Sequence, residues 1–530
     1  MLDTRTACIS SKEPSTSRDM TSSPYDTAAV AMALDDAQVI DWLLVRQYKD
    51  GSWGGHIPFR ADRLLQTMMV VRSLLFLQRW QPSRTILQDA ISRGISFISD
   101  TLNQWGDDAL EECDLAGFEL LISTHHLCLR RDSVAIPALP LTLEKRWQRK
   151  LRLLPSTLSK DIPPSHVLHA IEALEGWADG QRLVHHIALT LDPTQLVGSS
   201  PSATAYLLRA GGLNEDQRIS LKKTLRQAQV EDRGYPATTP VSSFTSLWKM
   251  YYGLSTGGDT THEHAQVFDA LIRCHRPIAG IGCNPEFIAD ADDTAIALLL
   301  AAKLGRVKTA NILANALLEN FYEVGSGFFR TYPFEMTVSI STNARVVEAL
   351  RTAAPFLAQS GIFGSRYAKA YHSTAQFVLD NAWQRDKWHV SPYYAMHACS
   401  QALQTRGGLG GQCSWHQEKL QQLLDEQHSD GGWGISGTTC EETCYAALTL
   451  LNLAKYSACF QLELPLTRAL LFLRSPNKTE STELWIDKTL YQPKAMLQGL
   501  FKATCAAISN YLLGLTEVTR QDHIRSLAYL

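Results

Sequence analysis

Three carboxyls fall within four residues at Asp290, Asp292 and Asp293, and Thr294 leads from them into the largely apolar run Ala295 to Leu304. Asp or Thr just before a periodic apolar segment caps a helix, accepting hydrogen bonds from its free N–H groups and complementing its dipole. The same cluster also suits harder chemistry. Three carboxyls this close cannot all ionise cheaply in a dry cavity, so at least one is held neutral, a Brønsted acid able to protonate a carbon–carbon double bond. The helix N-terminus favours the ionised form, so burial and like-charge crowding must prevail at one carboxyl while a neighbour caps the helix.

An acid that makes a carbocation needs a wall that will not trap it and a base that ends the reaction. Aromatic faces stabilise cations through their quadrupole without being strongly nucleophilic. Phe244, Trp248 and Trp388 are candidates, with Tyr393, Tyr394 and Trp485 beside them; most aromatics in any such chain are nonetheless core. His169 offers a neutral imidazole, a competent base if well placed. Lys150 and Lys387 are either surface charges or anion ligands.

Helices must position these groups. Leu64 to Leu77, Ile86 to Ile98, Leu298 to Phe321, Ala344 to Leu357, Thr443 to Leu453 and Ala495 to Leu513 repeat apolar residues at three and four, separated by Gly, Pro, Asp or Ser turns. No block of alternating strands interrupts them, so the fold is expected to be all-α, with antiparallel helix pairs curling into barrels. Gln47-Tyr48-Lys49-Asp50-Gly51-Ser52-Trp53-Gly54 and Gln427-His428-Ser429-Asp430-Gly431-Gly432-Trp433-Gly434 share one pattern, which points to repeated helical units.

Composition removes several classes of function. With 50 Lys+Arg against 53 Asp+Glu there is no basic surface for nucleic acid. No apolar run reaches the roughly 18 residues of a membrane span. Eleven cysteines contain no C-x-x-C pair, which suits reduced thiols of a cytoplasmic protein better than a disulfide framework or a structural zinc site. Met1 to Ser23 is Ser/Thr-rich with mixed charge, and residues 1–22 are expected to be a disordered tail.

The Asp290-Ala291-Asp292-Asp293 stretch resembles the D-x-D-D motif of class II terpene cyclases, which include class II diterpene cyclases and, more distantly, squalene-hopene cyclases. Further segments are similar to that family in order along the chain. Ser23 to Ala31 resembles its S-x-Y-D-T-A-W-V-A opening, with Ala29 for the Trp; the two Q-to-W segments look like its QW motifs; Gly198 to Ala205 and Thr337 to Leu350 look like two more segments. Asp386-Lys387-Trp388 through Tyr394 and Leu484 through Tyr491 resemble its D-K-W-x-x-S-P-Y-Y and L-W-x-x-K-x-L-Y blocks.

The resemblance implies two α-toroids in a γβ arrangement, with γ at 45–274 inserted after the first helix and β formed by 23–44 plus 275–530. It implies Asp292 as general acid, oriented by Asp290 and Asp293, and Mg2+ held at Asp107, Asp108 and Glu111, which lie just before Gly117-Phe118-Glu119. Hard Mg2+ bound through carboxylates, with phosphate oxygens completing its shell, grips a diphosphate without expelling it. Lys150 and Lys387 would assist. His169, in a segment like L-H-S-L-E, would be the terminating base, although the Asn that partners this His in ent-copalyl diphosphate synthases is replaced by Ala237.

The implied reaction is protonation-initiated cyclisation of geranylgeranyl diphosphate to a bicyclic diphosphate, labdane-type or rearranged to a halimane or clerodane. Farnesyl diphosphate giving a drimane is the alternative. A downstream class I synthase or tailoring enzyme would be the pathway partner. Two other readings, a zinc-dependent prenyltransferase subunit and a non-catalytic helical scaffold, lack respectively a ligand set and a need for the acid cluster.

Overall fold

The computed structural model describes residues 19–34, 36–79, 85–106, 115–158, 165–255, 262–333, 335, 337–359, 364–382, 384–403, 413–454, 461–475 and 482–528. Residues 1–18, and with them most of the expected tail, lie outside these, as do Asp107, Asp108 and Glu111.

The described chain is all-α, apart from three two-residue antiparallel ladders and isolated bridges, and its helices close into two rings. In the first, Pro24–Leu34, Arg60–Gln78, Phe118–Arg131, the short 3-10 turn Ile171–Leu174 and Pro201–Ala210 pack in succession, and the last returns to the first. Trp53, Phe118, Leu64 and Leu207 fill this core. In the second, Ser242–Ser255, Ala291–Lys303, Ile340–Gln359, Pro392–Ala402, Cys440–Ala454 and Lys494–Ala528 pack each on the next and close in the same way, with helices such as Val307–Asn320 outside.

At the two junctions of the expected domains, Pro24–Leu34 packs in the first ring and Ser242–Ser255 in the second. Apolar periodicity reports that a helix face is buried, and is silent on which ring buries it.

The helix Ala291–Lys303 is buried on every side, all but Asp292 and Lys303 being covered. Its run of Ala and Leu suits an inner position, where a wholly apolar helix is satisfied and neighbouring backbones approach closely.

The two Q-to-W segments are structural twins. Gln47 Nε2 donates to the carbonyls of Gly51 and Ala90, and Gln427 Nε2 to those of Gly431 and Pro465. Each indole donates back to the preceding helix, Trp53 to Leu43 O and Trp433 to Leu423 O, both at 2.7 Å. The glycine between must be left-handed, and at Gly431 (φ 97°) a Cβ would stand 2.6 Å from Arg468 O. Gly431→Ala is therefore expected to cost about 2 kcal/mol in thermal denaturation, from strain and clash together. An unchanged Tm would contradict the clamp.

A hairpin joins the rings. Trp485–Ile486 pairs with Leu490–Tyr491, and Asp487 and Lys488 sit in its turn. Trp485 packs into the second core, while Lys488, fully buried, reaches Glu172 Oε1 (3.0 Å), Ser202 Oγ (2.6 Å) and the carbonyl of His169 (2.8 Å) in the first. Among the described residues no helix is long and apolar enough to cross a membrane.

Candidate active site

The start of the buried helix divides its three carboxyls by role. Asp290 is its N-cap, extended at φ −129° and ψ 161°, and its side chain accepts from the Asp293 N–H at 2.7 Å. The capping expectation is met here, at one carboxyl of the three. Asp290 N–H donates to Ile281 O at 3.0 Å and Ala291 N–H to Thr331 O at 3.0 Å, which holds the turn from outside. Asp293 is buried and accepts from the Trp248 indole N–H at 3.3 Å.

Asp292 is the carboxyl left over. Its Oδ1 is buried without a hydrogen-bond partner, and the residue lines a cavity of about 1180 Å³. Burial drives the Asp292 pKa up to about 7, against the pull of the Arg345 guanidinium and with a further push from Asp386. Burial, then the charge of a neighbouring carboxyl, raises Asp290 (through Asp293) and Asp293 (through Asp292) well above the usual carboxylate range. At neutral pH the cluster therefore retains protons; all three carboxyls line the cavity, and Asp292 is the one with an oxygen that has no hydrogen-bond partner.

Arg345 escaped the sequence reading. It is buried beneath the cluster, its guanidinium over the rings of Trp248 (5.2 Å) and Tyr251 (4.8 Å), with Nε and Nη2 unpaired. A fixed cation acting on Asp292 stabilises the carboxylate that forms when its proton leaves. An arginine three residues before Glu348, in the middle of Thr337 to Leu350, was the available signal.

The cavity lies between the rings and draws walls from both. Phe244, Trp388 and Trp485 line it, joined by Phe287, Tyr332 and Tyr491, which sequence did not single out. Trp248 stands behind this wall, 5.7 Å from Phe244 and 5.9 Å from Trp485 between ring centroids, and Tyr393 and Tyr394 belong to the second core. Trp485 is fixed by its N–H to Glu441 Oε1 at 2.7 Å, a carboxylate that also meets His389 Nε2 at 3.0 Å.

Both expected lysines reach the cavity, and each is already paired with a buried carboxylate. Lys150 meets Glu119, shared with Arg146 at 2.8 Å, and Lys387 meets Glu335. Arg149 lines the cavity beside Lys150, so three cations gather where the first ring borders it. No group of three or more His, Cys, Asp or Glu that could hold a metal occurs among the described residues.

His169 is buried at the cavity, its Nδ1 2.8 Å from Gly198 O and its Nε2 3.2 Å from Asp487 Oδ1. Burial pushes the Asp487 carboxyl up, but His169, the Thr238 hydroxyl and Lys488 together outweigh it and hold the pKa at about 2. Sequence reading found the histidine and missed this carboxylate.

Known proteins are similar to the chain over nearly all its length. It is 31% identical to a copalyl diphosphate synthase of Streptomyces cyslabdanicus over 91% of this chain and 90% of that protein. It is 28% identical to a terpentedienyl-diphosphate synthase of Kitasatospora griseola over 92% and 97% respectively. The fold matches an ent-copalyl diphosphate synthase structure from Streptomyces platensis with a TM-score of 0.72 at 24% identity, covering 92% of this chain and 96% of that one. No protein-family model matches the chain. With paired helical rings and relatives of this kind aligned end to end, the chain belongs to the class II diterpene cyclases, enzymes of the isomerase and lyase type.

Proposed function

We propose that the enzyme cyclises geranylgeranyl diphosphate to a bicyclic diphosphate of labdane or rearranged type and retains the diphosphate. One observation carries this reading: the Asp292 carboxyl, protonated up to about pH 7 and with an unpaired oxygen, borders a cavity whose wall includes Phe244, Phe287, Tyr332, Trp388, Trp485 and Tyr491. A volume of about 1180 Å³ exceeds the usual range of small-molecule sites and favours a long C20 chain over a C15 one.

In this mechanism the Asp292 O–H adds its proton to the terminal alkene, the π pair forms the new C–H bond, and the O–H pair remains on the carboxylate beside Arg345. The two rings close by successive attack of internal double bonds on the cation, facing Phe244, Trp485 and their neighbours. Loss of a proton to a base such as His169 restores a double bond, so no atoms are gained or lost overall. Exclusion of water keeps the cation from early capture.

Lys150, Arg146 and Arg149 would hold the diphosphate, with Lys387 a further cation. Mg2+ at Asp107, Asp108 and Glu111 would, when bound, neutralise its charge without ionising it. The retained diphosphate leaves a product suited to a downstream class I synthase or another tailoring enzyme.

Incubation of the purified protein with Mg2+ and separately with geranylgeranyl and farnesyl diphosphate, followed by dephosphorylation and mass spectrometry, tests the reading. The expected result is a bicyclic C20 alcohol, with turnover lost on chelation and regained with Mg2+. Conversion of the C15 substrate alone would replace the proposed substrate with farnesyl diphosphate.

A further inference from the structure

The proposed reaction leaves open how its last proton is taken up, since Ala237 has no polar side chain to set against His169. Three segments distant in sequence surround the imidazole. Gly198 packs so closely on the main chain here that a Cβ would stand 2.3 Å from the His169 backbone nitrogen, and its carbonyl lies 2.8 Å from Nδ1. A carbonyl oxygen only accepts, so Nδ1 carries a proton and the lone pair of the neutral ring belongs to Nε2. Nε2 makes no aligned hydrogen bond, yet Asp487 Oδ1 is 3.2 Å away. The other Asp487 oxygen accepts from the Thr238 hydroxyl, and the backbone carbonyl of Asp487 accepts from Ala116 N–H at 2.9 Å. Both side chains line the cavity, and Phe287 covers the imidazole edge-on at 5.8 Å.

We infer that Asp487, fixed by Thr238, is the positioning residue that makes His169 the terminating base, so that this pair selects which proton is lost and hence which double-bond isomer forms. The inference rests on the cyclase reading above and adds to it the residue that governs product identity. Gly198 sets the tautomer, and Nε2 takes a proton from a carbon next to the final cation. The C–H pair becomes the new double bond, and the imidazolium formed rests against the Asp487 carboxylate. The Asp487 carboxylate accepts from the Thr238 hydroxyl and lies next to the buried Lys488 ammonium, so its charge is in place before the proton arrives. The hairpin turn supplies it from the far end of the chain, which is why the loss of an amide at Ala237 leaves His169 with a partner.

The test compares product ratios rather than rate alone. Asp487→Asn keeps the size of the side chain and an acceptor for Thr238 while deleting the charge. The share of the wild-type alkene among C20 products is expected to fall by roughly tenfold, replaced by other double-bond isomers and water-trapped alcohols. Thr238→Val, which leaves the charge but frees the carboxylate, should move the ratio the same way by a smaller factor, and it stands in if Asp487→Asn does not fold. His169→Gln should give the Asp487→Asn pattern, and the double variant should add nothing to it. An Asp487→Asn enzyme that is slower but makes the wild-type product ratio would overturn the inference and reduce Asp487 to a structural role. Failure of the wild type to convert any prenyl diphosphate would instead overturn the cyclase reading on which it rests.

Discussion

Asp292→Asn is expected to lower turnover by at least about 10³-fold, because the amide has no proton acidic enough for an alkene and general acid catalysis alone contributes up to roughly 10⁴-fold. Asp290 caps the helix and Asp293 is tied to Trp248, so neither can take over. The pH dependence follows from the same group. The wild type needs the protonated carboxyl, so kcat should be level below about pH 7 and fall tenfold per unit above it. Stability should move the other way in the variant. A folded-state pKa raised from 3.8 to about 7 contributes stability that is complete at low pH and lost as pH rises through about 7. Asn carries no such liability, so the Asp292→Asn Tm should exceed that of the wild type above pH 7, with the gap closing toward pH 4. A variant that is both inactive and less stable at pH 8 would indicate a structural Asp292.

Lys488→Met should be the most damaging single change to the fold. Lys488 is fully buried in the turn that joins the rings, with Glu172, Ser200, Ser202 and the His169 carbonyl on its ammonium and Asp26 at 3.9 Å. Removing one partner of a buried ionic cluster strands the others and costs about 3–5 kcal/mol. Burial already lifts Asp26 to about 6, with Lys488 holding it down, so without the lysine Asp26 would rise further and protonate. Protonation relieves the stranded charge. The stability deficit should therefore be large at pH 8 and narrow as pH falls through about 6, read as Tm against pH for both proteins. A small deficit, unchanged with pH, would mean that the cluster is not ionic.

The features legible in the sequence were those whose physics is local. A cap followed by an apolar run announced the acid helix, and a glutamine, a left-handed glycine and a tryptophan at fixed spacing announced the two clamps at Trp53 and Trp433. What stayed hidden was pairing between distant segments. Glu119 pairs with Lys150 and Arg146, Arg345 acts on Asp292, and Asp487 meets His169, and no spacing rule connects such pairs before the rings close. The assignment of Pro24–Leu34 and Ser242–Ser255 to their rings was hidden for the same reason, since amphipathic patterning encodes burial and not the partner. Trp248 shows the limit at one residue: aromaticity suggested a cavity wall, but its indole N–H serves Asp293 from behind.

The central claim, that a protein-borne acid starts the reaction and the diphosphate survives it, is tested most directly by turnover in D2O. Exchange places deuterium on the Asp292 carboxyl, so the account predicts a bicyclic C20 diphosphate heavier by one deuterium, located on the ring carbon derived from the terminal alkene. Free pyrophosphate with an unlabelled hydrocarbon would contradict it, because ionisation of the diphosphate would then have begun the reaction.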